Sequence, residues 1–290
     1  MNTALKNAIL MPFNCLYKIS PQLTLRTLFR LKQGYSLNLD DPASLNEKIQ
    51  WIKLYDRNPL FPICSDKYAV REYVTEKGCG DSLNELLWEG ANPEEIPFDS
   101  LPDKYVVKAT HGSTFNYICL DNKAVDRKQL ISKCKKWLNS PFLPCYGEWF
   151  YGVYPPRIIV EKFLESPDGL PDFKIYCYNG KPSFIAVHEG RFGKHTSDLF
   201  TPEWKHIDGV EYGYPNATVA MGKPKCLSSL LDYANKLSKD FNLVRVDYYV
   251  VDEKPIFGEL TFTDGAGFDR FNPQTADFEL GKGLRLPLRP

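Results

Sequence analysis

Leu243-Val-Arg245-Val-Asp247-Tyr-Tyr-Val250 and Ile256-Phe-Gly258-Glu259-Leu-Thr261-Phe-Thr263 lie close together near the C-terminus. Both are rich in β-branched and aromatic residues, and Val251-Asp-Glu-Lys-Pro255 joins them, which reads as an antiparallel hairpin with a five-residue loop. With Val250 opposite Ile256, Asp247 faces Glu259 and Arg245 faces Thr261 on one side of the hairpin. Directly opposed side chains sit about 4.5–5.5 Å apart at Cβ, where like charges destabilise a sheet. A cation between the two carboxylates is the simplest reason to place them so. Magnesium is bound by one or two carboxylates together with substrate phosphates. A register slipped by one residue would instead put the acids on opposite faces.

The rest of the chain supplies a framework for such a hairpin. Ser44 with Glu47 forms a capping-box pattern ahead of a helix over 45–55. A second helix is expected over 67–77, stopped by Gly78, with Lys67 at its start. A lysine there opposes the helix dipole unless it serves an anion. The acidic, proline-containing residues 81–103 suggest a boundary. Strands are expected over 104–109, 117–120 and 157–165, a basic helix over 126–139 and another helix over 226–241. Phe173–Tyr178 and Ser183–Val187 flank an Asn179-Gly180 hairpin turn. Helices precede a strand-rich half whose strands are mostly joined as hairpins, so the class is α+β or mixed α/β with largely antiparallel strands.

Composition narrows the function. The chain has 290 residues, 43% hydrophobic and 25% charged, and a formal net charge of zero, which lacks the basic excess of a dedicated nucleic-acid binder. No apolar run is long enough to span a membrane. Residues 1–33 nevertheless carry Lys6, Lys18, Arg26, Arg30 and Lys32 and no acid. This segment reads as one or two basic amphipathic helices broken at Pro12 and Pro21, either packed on the protein or lying on an anionic membrane surface. A cleaved signal peptide fits poorly. The eight cysteines form no CxxC pair, so free thiols in a reducing cytoplasm are expected rather than zinc or disulfides.

Several motifs are absent. There is no P-loop, no GxSxG elbow and no Asp-x-Asp, and Gly265-Ala-Gly267 lacks the third glycine of a dinucleotide fingerprint. What remains is a series of cations and acids. Lys108 ends an apolar strand directly before Thr110-His111-Gly112-Ser113-Thr114, a loop composition able to wrap phosphates with backbone N–H groups. Lys174, Arg191 and Arg245 add positive charge.

This order of features resembles the ATP-grasp superfamily, in particular its TupA-like branch, found with polysaccharide biosynthesis genes. The resemblance runs from about Pro42 to Gly281. It is carried by Ser44-Leu-Asn-Glu-Lys48 with Trp51, Asp66-Lys67, Val107-Lys108-Ala-Thr-His-Gly112 and Ile158-Ile-Val-Glu161. Asp172-Phe-Lys174, Asn179-Gly-Lys181, Val244-Arg-Val-Asp247, Gly258-Glu-Leu-Thr-Phe262 and Gly267-Phe268 continue it. It implies an α+β ATP-grasp fold of two subdomains gripping a nucleotide. The basic segment 1–33 would be followed by an acceptor-side helical region over 34–100, a central lid over 101–165 and a C-terminal subdomain over 166–290.

The resemblance also implies roles. Lys67 and Lys108 would hold ATP phosphates, and His111, Gly112, Ser113 and Thr114 would close over them. Glu161, Lys162, Phe163 and Leu164 would form the adenine hinge, with Glu165 near the ribose. Asp247 and Glu259 would bind Mg2+, with Thr261 standing where many members have asparagine. Arg245, Lys108 and Lys174 would stabilise the transferring group. The implied activity is a carboxylate–amine ligase acting through an acyl phosphate on a uronic acid of a cell-envelope polysaccharide, at the inner face of the membrane if the N-terminus binds there. A nucleotide-sugar glycosyltransferase and a non-catalytic nucleotide-binding protein are the competing classes.

Overall fold

A computed structural model describes residues 3–140, 142–166, 169–190 and 193–289, with side chains from Ile9 onward; Arg191 lies outside the described residues. The chain begins with two helices, α1 (Thr3–Ile19) and α2 (Pro21–Gln33). Pro12 does not break α1. Removing one N–H costs the helix a bond, but α1 packs along α2 and its Leu10 is buried in the main core, which carries it through. Pro21 opens α2 at a position whose N–H needs no partner, behind the Ser20 cap. Thr24, Leu25, Leu28 and Phe29 are buried, so α2 is part of the core rather than an appendage.

Helix α3 (Leu45–Tyr55) has the expected capping box, with Ser44 and Glu47 each satisfying the other's backbone. Next come α4 (Leu60–Ser65) and α5 (Val70–Glu76). The second expected helix therefore starts three residues late. Asp66 Oδ1 accepts from the backbone of Tyr68 and Ala69, each at 2.9 Å, and holds 66–69 as a turn. Lys67 thus lies in that turn and not at the start of a helix, so the dipole does not explain it.

Two antiparallel sheets follow. The smaller has the order β1-β4-β2-β3, built from β1 (Leu86–Gly90), β2 (Tyr105–Ala109), β3 (Asn116–Cys119) and β4 (Ile158–Lys162). Strand β1 comes from the acidic stretch 81–103. Helix α6 (Arg127–Leu138), capped by Asp126, covers this sheet, and Leu130, Cys134 and Trp137 join Val107, Ile158 and Val160 in a small core.

The larger sheet has the order β10-β9-β5-β6-β7. Its strands are β5 (Asp172–Tyr178), β6 (Lys181–Glu189), β7 (Thr196–Phe200), β9 (Leu243–Val251) and β10 (Lys254–Thr261). A two-stranded ribbon pairs β8 (Glu211–Tyr212) with β11 (Phe271–Asn272), and α7 (Leu227–Ser238) and α8 (Thr275–Gly281) complete the chain. The main core joins the large sheet to α2, α3, α4 and the 143–151 segment. All eight cysteines are free thiols, and the described residues include no helix long and apolar enough to cross a membrane.

The C-terminal hairpin differs from expectation at its turn. Its loop is the two residues Asp252 and Glu253, both at positive φ, with Val251 opposite Lys254 and Tyr249 opposite Ile256. That offset alone would separate the two acids. A bulge at Gly258 restores the pairing, so that Asp247 faces Glu259 and Arg245 faces Thr261. Glycine suits the bulge because a Cβ there would come within 3.1 Å of the Asp247 carbonyl oxygen.

Candidate functional site

Strand alternation places six chemically active side chains on one face of three neighbouring strands. Lys174 of β5 pairs with Asp247 of β9, and Tyr176 with Arg245. Asp247 pairs in turn with Glu259 of β10, and Arg245 with Thr261. The sequence-derived cluster is therefore assembled.

Arg245 is its hub. Its Nε donates to Asp247 Oδ1 at 2.7 Å and its Nη2 to Asp247 Oδ2 at 2.6 Å, a bidentate pair. Nη2 also reaches Thr261 Oγ1 at 3.1 Å and Glu259 Oε1 at 3.5 Å, while Nη1 donates to Asp264. Lys174 Nζ bridges Asp247 at 2.6 Å and Asp172 at 2.9 Å. Burial opposes the charge on Asp247, but Arg245 and Lys174 overcome it and hold the carboxyl below the usual range. Burial likewise opposes ionisation of Glu259 and Asp264, and nearby cations outweigh it: Lys67, Arg245 and Lys174 around Glu259, and Arg245, helped by hydroxyls from Tyr176 and Tyr212, at Asp264. Burial and Arg245 both push the Lys174 pKa down, yet Asp247, Asp172 and Glu259 together hold it above an ordinary lysine.

Lys67 connects this face to the loop after β2. Its Nζ lies 3.1 Å from Glu259 Oε2 and donates to the Gly112 carbonyl at 3.0 Å, while its backbone N–H donates to Thr110 at 3.0 Å. Gly112 and Thr114 both adopt positive φ. His111 is buried against Phe115 and Phe142; its Nε2 lies 3.1 Å from the Trp137 carbonyl, and its Nδ1 has no hydrogen-bond partner among the described residues. Burial depresses the His111 pKa, so the neutral ring is favoured.

The remaining sequence-derived residues sit on the smaller sheet. Lys108 Nζ binds Glu161 Oε2 at 2.6 Å, with Arg71 3.4 Å from the other carboxylate oxygen. Lys162 is exposed, Phe163 and Leu164 are half-buried just beyond β4, and Glu165 pairs with Lys104 at 2.7 Å.

Between the two sheets lies a cleft of about 520 Å³. Lys67, His111, Gly112, Ser113, Arg245, Glu259 and Thr261 line it; Lys108, Thr114, Glu161–Glu165, Lys174 and Asp247 do not. Its far wall holds residues that the sequence did not single out. Asp264 and Thr263 extend β10, and Glu148 enters from the 143–151 segment to accept a hydrogen bond from Thr263 Oγ1. Lys53, fully buried in α3, donates to the carbonyls of Tyr146 and Ala266 at 2.8 and 2.7 Å and so ties both loops together. Burial pushes its pKa down to about 7. The only signal for this wall in the sequence is an acid, Asp264, directly before Gly-Ala-Gly.

The donors suit a hard divalent cation. Glu259 keeps 37% of its side chain exposed toward the cleft, and the Thr261 hydroxyl lies 3.3 Å from its Oε1. Asp247 keeps only 5% and is fully engaged by Arg245 and Lys174, so it can ligate only by giving up those bonds. Among the described residues no group of three or more His, Cys, Asp or Glu side chains is arranged to hold a metal.

A family model described as TupA-like ATPgrasp matches residues 47–285. No curated protein matches the chain. Among solved structures it is similar to a D-alanine–D-alanine ligase from Bacillus anthracis complexed with ATP, at 17% identity and TM-score 0.41, covering 69% of this chain and 55% of that one. It is also similar to a phosphoribosylamine–glycine ligase from Thermotoga maritima, at 14% identity and TM-score 0.45, covering 73% and 52%. An L-amino acid ligase from Bacillus licheniformis matches at 18% identity and TM-score 0.39, covering 70% and 42%. The chain thus spans about half the length of these enzymes.

Proposed function

The chain belongs to the TupA-like ATP-grasp family, and on that premise we propose that it is an ATP- and Mg2+-dependent carboxylate–amine ligase. ATP phosphorylates a carboxylate, and an amine then displaces phosphate from the acyl phosphate to form an amide. The carboxylate belongs to a uronic acid of a cell-envelope polysaccharide or its precursor. The observation that carries this reading is the charged face of β5, β9 and β10 lying under the loop that Lys67 tethers. Four carboxylates, Asp172, Asp247, Glu259 and Asp264, meet three cations, Lys67, Lys174 and Arg245. Such a balance suits a site where phosphate and metal charges arrive together.

Each residue has a physical task. Lys67 gives up Glu259 for a phosphate, and the backbone of His111–Thr114 folds over it. Arg245 keeps Nε on Asp247 Oδ1 and releases Oδ2, turning Nη2 toward the transferring phosphoryl group. Lys174 also releases Oδ2 and stays on Asp172, so that Asp247 can reach a metal. Lys108, held by Glu161, supplies further positive charge, and Glu161 to Leu164 receive the adenine with Glu165 near the ribose. Glu259, Thr261 and Asp247 would hold Mg2+, which supplies charge neutralisation at the phosphates.

The α1–α2 hairpin exposes Ile9, Met11, Ile19, Leu23 and Leu31 together with Lys18 and Arg30, and this surface rests on the anionic inner surface of the membrane. Because α2 is built into the core, Ile19→Ser with Leu31→Ser, rather than deletion of 1–33, is the test; unchanged sedimentation with anionic liposomes contradicts it.

Release of ADP with magnesium, measured over a panel of uronic acids and amines, tests the activity. Turnover stimulated by both partners supports it. ATP hydrolysis indifferent to every acid and amine contradicts it.

A further inference from the structure

Three carboxylates line the cleft: Glu148, Glu259 and Asp264. Two have a cation within hydrogen-bonding distance: Lys67 lies 3.1 Å from Glu259, and Arg245 donates to Asp264. Glu148 differs. Among the described residues its one hydrogen bond comes from the neutral Thr263 hydroxyl, to Oε1, and Oε2 has no partner. The buried cation nearest in charge, Lys53, spends its hydrogen bonds on the Tyr146 and Ala266 carbonyls instead.

The aromatic rings beside Glu148 already hold cations. Tyr146 and Phe268 line the same cleft with ring centroids 5.9 Å apart. Lys32 already lies 5.8 and 5.5 Å from their centroids, and Lys53 lies 4.5 Å from that of Phe268. Glu148 is held in place because Lys53 ties the Tyr146 carbonyl, two residues before it, to the Ala266 carbonyl of the neighbouring turn, and Thr263 fixes one carboxylate oxygen.

We propose that Glu148 binds the ammonium group of the amine substrate and removes the proton that blocks its attack. This rests on the ligase reading above. The amine arrives as R–NH3+, with no lone pair to donate. One proton passes to Glu148 Oε2, freeing the nitrogen lone pair. That pair attacks the acyl-phosphate carbonyl carbon, the C–N bond forms, and the C–O bond to phosphate breaks with its electrons leaving on phosphate. The second nitrogen proton goes to the departing phosphate, giving HPO4 2−, and Glu148 returns its proton to solvent. Burial, opposed by Lys53 and Thr263, raises the Glu148 pKa, which makes it a stronger base than an exposed carboxylate.

The test uses hydroxylamine, which is uncharged at neutral pH and reacts with acyl phosphates without prior deprotonation. Wild type and Glu148→Gln are given ATP, magnesium and D-glucuronic or D-galacturonic acid, with either hydroxylamine or the amines L-alanine, L-serine and ethanolamine. Amide formation should fall by about 100-fold or more in Glu148→Gln, while hydroxamate formation falls far less, so the amide-to-hydroxamate ratio drops at least about tenfold. Glu148→Asp, which keeps the charge, should recover part of the amide. Equal losses of both products, or an altered magnesium requirement, overturn the assignment in favour of a structural or metal-binding role. Wild type that makes hydroxamate but shows no change in ratio on substitution overturns this inference alone. Wild type that makes no hydroxamate overturns the ligase reading, and the inference with it.

Discussion

Asp247 and Glu259 face one another across β9 and β10 only because a bulge at Gly258 cancels the offset set by the Asp252–Glu253 turn. The pairing on which the site depends is therefore held at a point one residue from its own acid. Gly258→Ala brings its Cβ within 3.1 Å of the Asp247 carbonyl oxygen, and the paired strand must give by a few tenths of an ångström. A loss of about 1–3 kcal/mol in urea denaturation is expected. Unchanged stability would mean that the bulge is not sterically fixed at that residue.

Arg245 carries the cohesion of the cluster. Replacing it with methionine leaves the buried Asp247 and the partly buried Asp264 without their principal cation. Breaking a buried pair from one side costs about 3–5 kcal/mol. Chemical denaturation should show a loss of that size, and a variant as stable as wild type would contradict the role.

Lys67 is expected to restrain the loop after β2. Lys67→Ala removes the bonds to Gly112 and Glu259. Amide hydrogen exchange over residues 110–116 should accelerate while β2 itself remains protected. The KM for ATP should rise about tenfold or more with a smaller change in kcat. Loop exchange identical to wild type would refute the tether.

Acid should dissolve the contribution of Asp264. Its carboxyl is held below the ordinary carboxylate range, so between that range and its folded pKa the unfolded chain binds more protons than the folded one. Stability from this group is therefore full above about pH 4 and is lost as pH falls through the folded value. The difference in Tm between wild type and Asp264→Asn should hold from about pH 6 down to about pH 4 and shrink from there to about pH 2. A difference that grows toward low pH would reverse the assignment.

The elements legible in the sequence were those governed by local chemistry. Ser44 and Glu47 announced α3, Asn179-Gly180 announced its hairpin, and the β-branched runs announced β5, β9 and β10. Pro12 misled because tertiary packing of α1 on α2 outweighs the one bond that it removes. The turn of the C-terminal hairpin misled because Asp252 and Glu253 take positive φ without a glycine to signal it, and the bulge then corrected the register by a separate device. Glu148 and Lys53 were not readable at all. Their proximity depends on α3, the 143–151 segment and the Asp264–Gly267 turn meeting in space, and none of the three carries a spacing that points to the others. The facing pair Asp247 and Glu259 was found from alternation, but its asymmetry was not: one acid is sealed behind Arg245 and Lys174 while the other opens to the cleft.

Titration calorimetry of the full chain with ADP and with UDP, each with and without magnesium, tests the central claim without requiring the acceptor to be known. ADP should bind only with magnesium present, Glu259→Ala should weaken that binding by about tenfold or more, equivalent to about 1.4 kcal/mol, and UDP should give no heat. Binding of UDP or a UDP-sugar in place of ADP would contradict the account.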